Sequence, residues 1–189
     1  KKIEYNVTGI VRNTKNSQEK NLNFFNVSDI GNTSEFEKII KNTDVVIHAA
    51  GIAHNKYKKN ISPYHKVNTE STINLCELAA KNNVKKFIFL STIRVYGENN
   101  FNYPLKHNDY CNPESEYAIS KYNAEKGLIA ISKKYPIQIM IIRMPLVYGP
   151  GVGANFLKLI KLVDSGFPIP LKNINNKKLF ISIFNLIDF

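Results

Sequence analysis

Apolar and β-branched residues dominate four short runs: Tyr5–Val11, Asp44–His48, Phe87–Leu90 and Ile137–Ile142. Such runs, rich in β-branched residues, predict strands buried on both faces, as in a parallel sheet. Helix-period stretches lie between them. Ser34–Lys41 opens on a capping serine with Glu37 three residues on, the spacing of a capping box. Pro63–Asn82 sets Val67, Ile73, Leu75, Leu78 and Ala79 along one repeating face, and Ser115–Lys134 and Ala154–Ser165 are the third and fourth helices. Strands alternating with helices predict α/β architecture with right-handed crossovers. No repeat or low-complexity tract interrupts the pattern. Beyond Gly166 the texture changes at Pro168 and Pro170, so a second, smaller unit is expected over 151–189 after an α/β domain over 1–150.

Composition narrows the function classes. The 189 residues are 43% hydrophobic and 22% charged, enough apolar material for a core and against wholesale disorder. The formal net charge is +11, but the lysines come singly or in pairs, as at Lys58–Lys59 and Lys133–Lys134. No block of five or six basic residues occurs, which favours lysine scattered over solvated faces rather than nucleic-acid binding. The surplus is also compatible with a small anionic ligand such as a nucleotide. Cys76 and Cys111 provide neither a disulfide framework nor a metal ligand set, and His54, His65 and His107 show no metal spacing. A reducing cytoplasm is the default location, and no run approaches the roughly 18 apolar residues of a membrane span. The chain opens on a strand-like segment without an initiating methionine, which hints at a fragment.

The strongest chemical signal is Tyr117-Ala-Ile-Ser-Lys121, whose spacing of four puts phenol and ammonium on one helix face. A free phenol is a poor base at neutral pH, and a nearby ammonium lowers its pKa toward proton exchange with a substrate hydroxyl. A tyrosine and a lysine merely sharing a surface is the alternative. Context weighs against it: Ser91 and Thr92 follow the strand Phe87–Leu90 at its carboxyl end, the edge where open α/β sheets bind ligands. A hydroxyl there can bond the same substrate oxygen, or simply satisfy backbone groups. A second strand ends in Ala49-Ala50-Gly51, small residues that admit a flat or phosphorylated ligand close to the backbone. His48 reads as a strand histidine and Cys76 as core.

Together these residues resemble the extended short-chain dehydrogenases/reductases, in particular the nucleotide-sugar epimerase and dehydratase branch. The matching pieces are Val46-Ile-His-Ala-Ala-Gly51, Phe89-Leu-Ser-Thr-Ile-Arg-Val-Tyr-Gly97, Tyr117-Ala-Ile-Ser-Lys121 and Arg143-Met-Pro-Leu-Val-Tyr-Gly-Pro150, in the family's order. The resemblance implies a Rossmann-type, doubly wound parallel sheet, NAD as cofactor and a UDP-sugar substrate. It assigns Tyr117 as catalytic acid and base, Lys121 to tyrosine activation and the nicotinamide ribose, and Thr92 to the sugar hydroxyl. Asp29 and Ile30 would contact adenine. Ala49, Ala50, Gly51, Asn68, Ser91 and Pro145 would line the cofactor. Asn155, Phe156 and Lys178 would meet the nucleotide diphosphate and uracil. No metal is implied, and relatives of this kind often form homodimers through two helices, here Pro63–Asn82 and Ser115–Lys134.

Three departures qualify the likeness. No G-x-x-G-x-x-G occurs, and Val11-Arg12-Asn13 ends what looks like the second strand. The first strand and its glycine loop are therefore expected to precede Lys1, leaving a gap in mid-sheet. Sugar dehydratases carry Thr-Asp-Glu where this chain has Thr92-Ile93-Arg94, so the two carboxylates for water elimination are missing. Hydride removal and return at one carbon survives. Arg12 stands where NAD-preferring members have an acidic residue, which leaves NADP open. The resulting expectation is a UDP-hexose 4-epimerase working through a 4-keto intermediate. An NADPH-dependent 4-keto-sugar reductase and an inactive fragment remain as alternatives.

Overall fold

The computed structural model describes residues 5–11, 23–53, 63–98, 103–166 and 178–189. Three parallel strands form the centre: β3 (Val45–His48), β4 (Lys86–Thr92) and β5 (Gln138–Met144), hydrogen-bonded in that order. Two further parallel pairs flank it in sequence, β1 (Thr8–Val11) with β2 (Asn23–Asn26), and β6 (Leu146–Tyr148) with β7 (Phe180–Ser182). The helices are α1 (Glu37–Ile40), α2 (Ser71–Lys81), α3 (Glu116–Lys134), α4 (Ala154–Asp164) and α5 (Ile183–Asp188). The class is α/β, and the described strands form three separate parallel ladders, β1–β2, β3–β4–β5 and β6–β7.

The register decides which side chains face the helices. Val46, His48, Phe87, Phe89, Ser91, Ile139, Ile141 and Arg143 share one face by strand alternation. Against it lie Leu75, Cys76 and Ala79 of α2 and Ala124 and Leu128 of α3, most at or near zero exposure. Each fully buried Phe or Leu contributes about 2–3 kcal/mol of transfer free energy. α2 and α3 approach closely at Gly127, where a β-carbon would collide with Ile73.

The other face differs from expectation. Val45, Ile47 and Met140 are exposed on it, so among the described residues the central strands are covered on one side only. Right-handed crossovers put α2 and α3 on the same side of β3–β4–β5, and a second layer requires helices from another part of the fold. The capping box at Ser34 is also absent: Ser34 donates instead to Asn32 Oδ1 at 2.7 Å. Glu35, rather than Glu37, ties this turn down by accepting from Ser28 N and Ser28 Oγ at 2.8 and 2.6 Å.

Candidate active site

Local sequence places a helix start at the carboxyl edge of the sheet. Ser115 caps α3, its Oγ accepting from Ala118 N at 3.4 Å and donating to Glu98 Oε1 at 2.7 Å. Tyr117 consequently sits in the first turn of α3, where unpaired backbone N–H groups favour negative charge. One turn on, Lys121 shares a cleft of about 120 Å³ with Tyr117, lined also by Ala49, Gly51, Leu90 and Met144. Four sequence motifs far apart in the chain thus converge.

Lys121 is almost completely buried. Its Nζ donates to Leu90 O at 2.7 Å and stands 4.3 Å from the Phe89 ring centroid. Burial pushes its pKa down to about 8, against the opposing pull of Glu125. An ammonium has three donors, and among the described residues only Leu90 O takes one. Two remain for a ligand in the cleft. Gly51 keeps that space open: a β-carbon there would stand 3.0 Å from Asn68 Oδ1 and 3.6 Å from Lys121 Nζ. A ribose diol, with two oxygens and little thickness, matches this donor set and this bare backbone, so the residues present fit a nicotinamide dinucleotide.

Tyr117 departs from the expected electrostatics. Its pKa is raised, first by burial, while a hydrogen bond with Thr92 and the charge of Arg94 act to lower it. Lys121 is not among the groups that move it, because its amine is directed to the Leu90 carbonyl. Tyr64 stacks edge-on to the phenol, ring centroids 6.2 Å apart, and also raises it. Sequence reasoning found Thr92 but missed Arg94 and Tyr64 as neighbours of the phenol.

Adjacent hydroxyls on β4 have separate partners. Thr92 accepts from Arg94 N at 3.3 Å and meets Tyr117. Ser91, expected to line the cofactor, instead turns inward and donates to Glu125 Oε1 at 2.5 Å, because alternation points it toward α3. Gly97, at φ 128°, closes the 3₁₀ turn that follows β4.

Asn68 is buried. It lies in a π-helical turn, His65–Glu70, ahead of α2. Its Oδ1 accepts from Ile52 N at 2.8 Å, and its Nδ2 donates to Ile52 O and Ser120 Oγ, both at 3.0 Å. The amide thereby clamps the Gly51 loop to α3 from behind the cleft, with every one of these groups spent on protein.

The other expected positions spread out. Ala50 is exposed beside Ala49, and Pro145 is half-buried next to the cleft residue Met144. Asp29 accepts from Gly31 N at 2.9 Å, and Ile30 packs against the core. Phe156 stacks between Tyr148 and Phe180, at 5.8 and 5.4 Å, rather than standing free for a base. Lys178 is exposed just before β7. Arg12 and the side chain of Asn155 lie outside the described residues. No three His, Cys, Asp or Glu side chains cluster as a metal site among the described residues. No described helix is long and apolar enough to cross a membrane.

Comparison with known proteins bears on this geometry. The sequence model of the NAD dependent epimerase/dehydratase family matches residues 1–175. The chain belongs to that family. It is 43% identical over 192 residues to a UDP-glucose 4-epimerase from Vibrio cholerae, covering 99% of this chain and 58% of that protein. This family member therefore spans little more than half the length of that relative. Among solved structures it resembles a mutant UDP-glucuronic acid 4-epimerase from Bacillus cereus, in complex with UDP-4-deoxy-4-fluoro-glucuronic acid and NAD. The TM-score is 0.82 at 28% identity, over 97% of this chain and 63% of that one. It also resembles a UDP-N-acetylglucosamine 4-epimerase from Methanobrevibacter ruminantium M1 in complex with UDP-N-acetylmuramic acid. There the TM-score is 0.79 at 27% identity, with the same coverage of 97% and 63%.

Proposed function

We propose that this chain carries the catalytic centre of an NAD-dependent UDP-sugar 4-epimerase. The observation that supports this most is the meeting of Tyr117, Thr92 and Lys121 beside the Ala49–Gly51 turn, in a chain whose relatives bear that activity in name. Lys121, with Ala49 and Gly51, holds the nicotinamide ribose, and bound NAD supplies reversible hydride acceptance. Tyr117 takes the proton of the sugar's 4-hydroxyl, and Thr92 orients that hydroxyl by hydrogen bonding. The helix N-terminus and Arg94 favour the phenolate against its burial. The 4-keto sugar turns within the site, and Tyr117 returns the proton when hydride comes back to the opposite face. Ile93 and Arg94 stand in place of the two carboxylates that water elimination uses, which disfavours dehydration.

The test is conversion of UDP-glucose to UDP-galactose by the protein carrying this chain. Turnover without net change in cofactor redox state is expected, and Tyr117→Phe lowers it by about two to four powers of ten without unfolding. Stoichiometric consumption of reduced cofactor with a 4-keto sugar would overturn epimerisation in favour of reduction. Full activity of Tyr117→Phe would remove the phenol from its role.

A further inference from the structure

The bonds that hold α3 in place can be followed along the helix. At Ser120 it is tied toward α2: Asn68 Nδ2 donates to Ser120 Oγ at 3.0 Å and Thr69 Oγ1 to Ser120 O at 2.8 Å. Toward β4, Lys121 Nζ donates to Leu90 O at 2.7 Å, and Glu125 accepts from Ser91. The first turn, which carries Tyr117, lies ahead of all these. Its capping residue Ser115 donates Oγ–H to Glu98 Oε1 at 2.7 Å, and the other oxygen of that carboxylate, Oε2, pairs with Arg94 Nη1 at 3.6 Å. Arg94 N in turn donates to Thr92 Oγ1 at 3.3 Å, and Ser115 Oγ accepts from Ala118 N at 3.4 Å. A continuous line of polar contacts thus runs from Thr92 through Arg94, Glu98 and Ser115 to the turn that holds Tyr117. The 3₁₀ turn after β4 closes with Gly97 N donating to Arg94 O at 3.1 Å, and Glu98 leaves it beside both of its partners.

Stability is a poor explanation for these contacts. The side chains of Arg94 and Glu98 are 57% and 33% exposed, and an ion pair so open to water adds little. What a contact of this kind can fix is geometry, and a reacting group displaced by about 1 Å loses much of its rate.

We propose that Glu98 is a positioning residue: accepting from Ser115 and pairing with Arg94, it sets the first turn of α3, and so the Tyr117 phenol, against the Thr92 end of β4. This role rests on the reading of Tyr117 as acid and base and of Thr92 as its hydroxyl partner, and names the group that fixes the spacing between them. Glu98 touches neither of the two. It acts through the helix cap on one side and the 3₁₀ turn on the other.

Two readouts test this, and only one needs turnover. In Glu98→Ala, epimerisation of UDP-glucose by the protein carrying this chain should lose about ten- to a hundredfold in kcat, with KM and melting temperature close to the parent's. Glu98→Gln keeps an oxygen for the Ser115 hydroxyl and should restore most of the rate. Ser115→Asp still caps the helix but cannot donate to Glu98, and should slow the enzyme as Glu98→Ala does without lowering the melting temperature. In protein with ¹³C-labelled tyrosine rings, the Tyr117 resonance is identified by its loss in Tyr117→Phe. It should shift or broaden in Glu98→Ala and Ser115→Asp, and return toward its parent position in Glu98→Gln. A parent kcat in Glu98→Ala or Ser115→Asp, a loss confined to KM, no recovery in Glu98→Gln, or an unmoved Tyr117 resonance each overturns the proposal. A melting temperature that falls along with the rate makes the contact structural and overturns it as well. The resonance reports the ring whether or not the protein turns over, so an inactive parent would refute epimerisation while this test still gives its answer.

Discussion

His48 makes the stability of this fold depend on pH in a way that can be calculated. Its ring is 3% exposed, stacks on Phe89 with centroids 5.8 Å apart, and meets Thr72 Oγ1 through Nε2 at 2.9 Å. Thr72 donates its only hydroxyl hydrogen to Asn68 O at 2.8 Å, so Nε2 must be the donor to Thr72. Burial first, and the Lys121 charge second, press its pKa down from 6.5 to about 4. Above pH 6.5 both folded and unfolded chains hold a neutral ring, and no stability depends on it. As pH falls below 6.5 the unfolded chain binds a proton that the folded chain refuses, and stability drops by about 1.4 kcal/mol per pH unit until the folded ring titrates. From pH 7.5 to 4.5 the loss comes to about 2.5 kcal/mol. Urea unfolding of the chain across this range, compared with His48→Gln, isolates the effect, because the carboxylates titrate in both proteins. Glutamine can place an N–H near the position of Nε2 without titrating. Parallel pH curves for the two proteins would mean that the ring is not sealed, and would refute the argument.

Two glycines give further tests. Gly127→Ala forces a methyl into Ile73 where α2 and α3 touch, and overpacking outweighs the better helix propensity of alanine. Thermal melts should show a loss of about 1–3 kcal/mol, and a melting temperature above the parent's would contradict the close approach. Gly51→Ala narrows the cleft against Asn68 and Lys121. Calorimetry should then show NAD binding weakened about tenfold with little change in the melting temperature, an effect of about 1.4 kcal/mol. Unchanged affinity would place the dinucleotide elsewhere.

The parts legible in the sequence are those with a period or a cap. α3 declares itself through Ser115, its helical spacing and the Tyr117–Lys121 interval, and β4 through its continuous apolar run. Asn23–Asn26, Leu146–Tyr148 and Phe180–Ser182 went unseen because three or four residues show no period, and their pairing is set by distant partners. The π turn at Asn68 is likewise invisible, since one extra residue per turn leaves no mark in an apolar pattern. Glu125 could have been read, since it continues the interval of four from Tyr117 and Lys121. What sequence misjudged was the phenol: an i,i+4 amine lowers a pKa only if it faces the oxygen, and here burial dominates while the amine bonds a carbonyl. Likewise, a strand's apolar run does not reveal whether one helical layer covers it or two.

The neighbouring hydroxyls of β4 show how a pleated chain divides its labour. Because consecutive side chains leave a strand in opposite directions, Ser91 meets the buried Glu125 and Thr92 meets the Tyr117 phenol, though one peptide bond separates them. Exchanging serine for threonine at either place keeps both duties. Deleting a single residue upstream within the strand would set Thr92 in the place of Ser91, against a buried carboxylate, and Ser91 in that of Leu90, on the opposite face. Drift in this segment should therefore tolerate changes of side chain far better than changes of length.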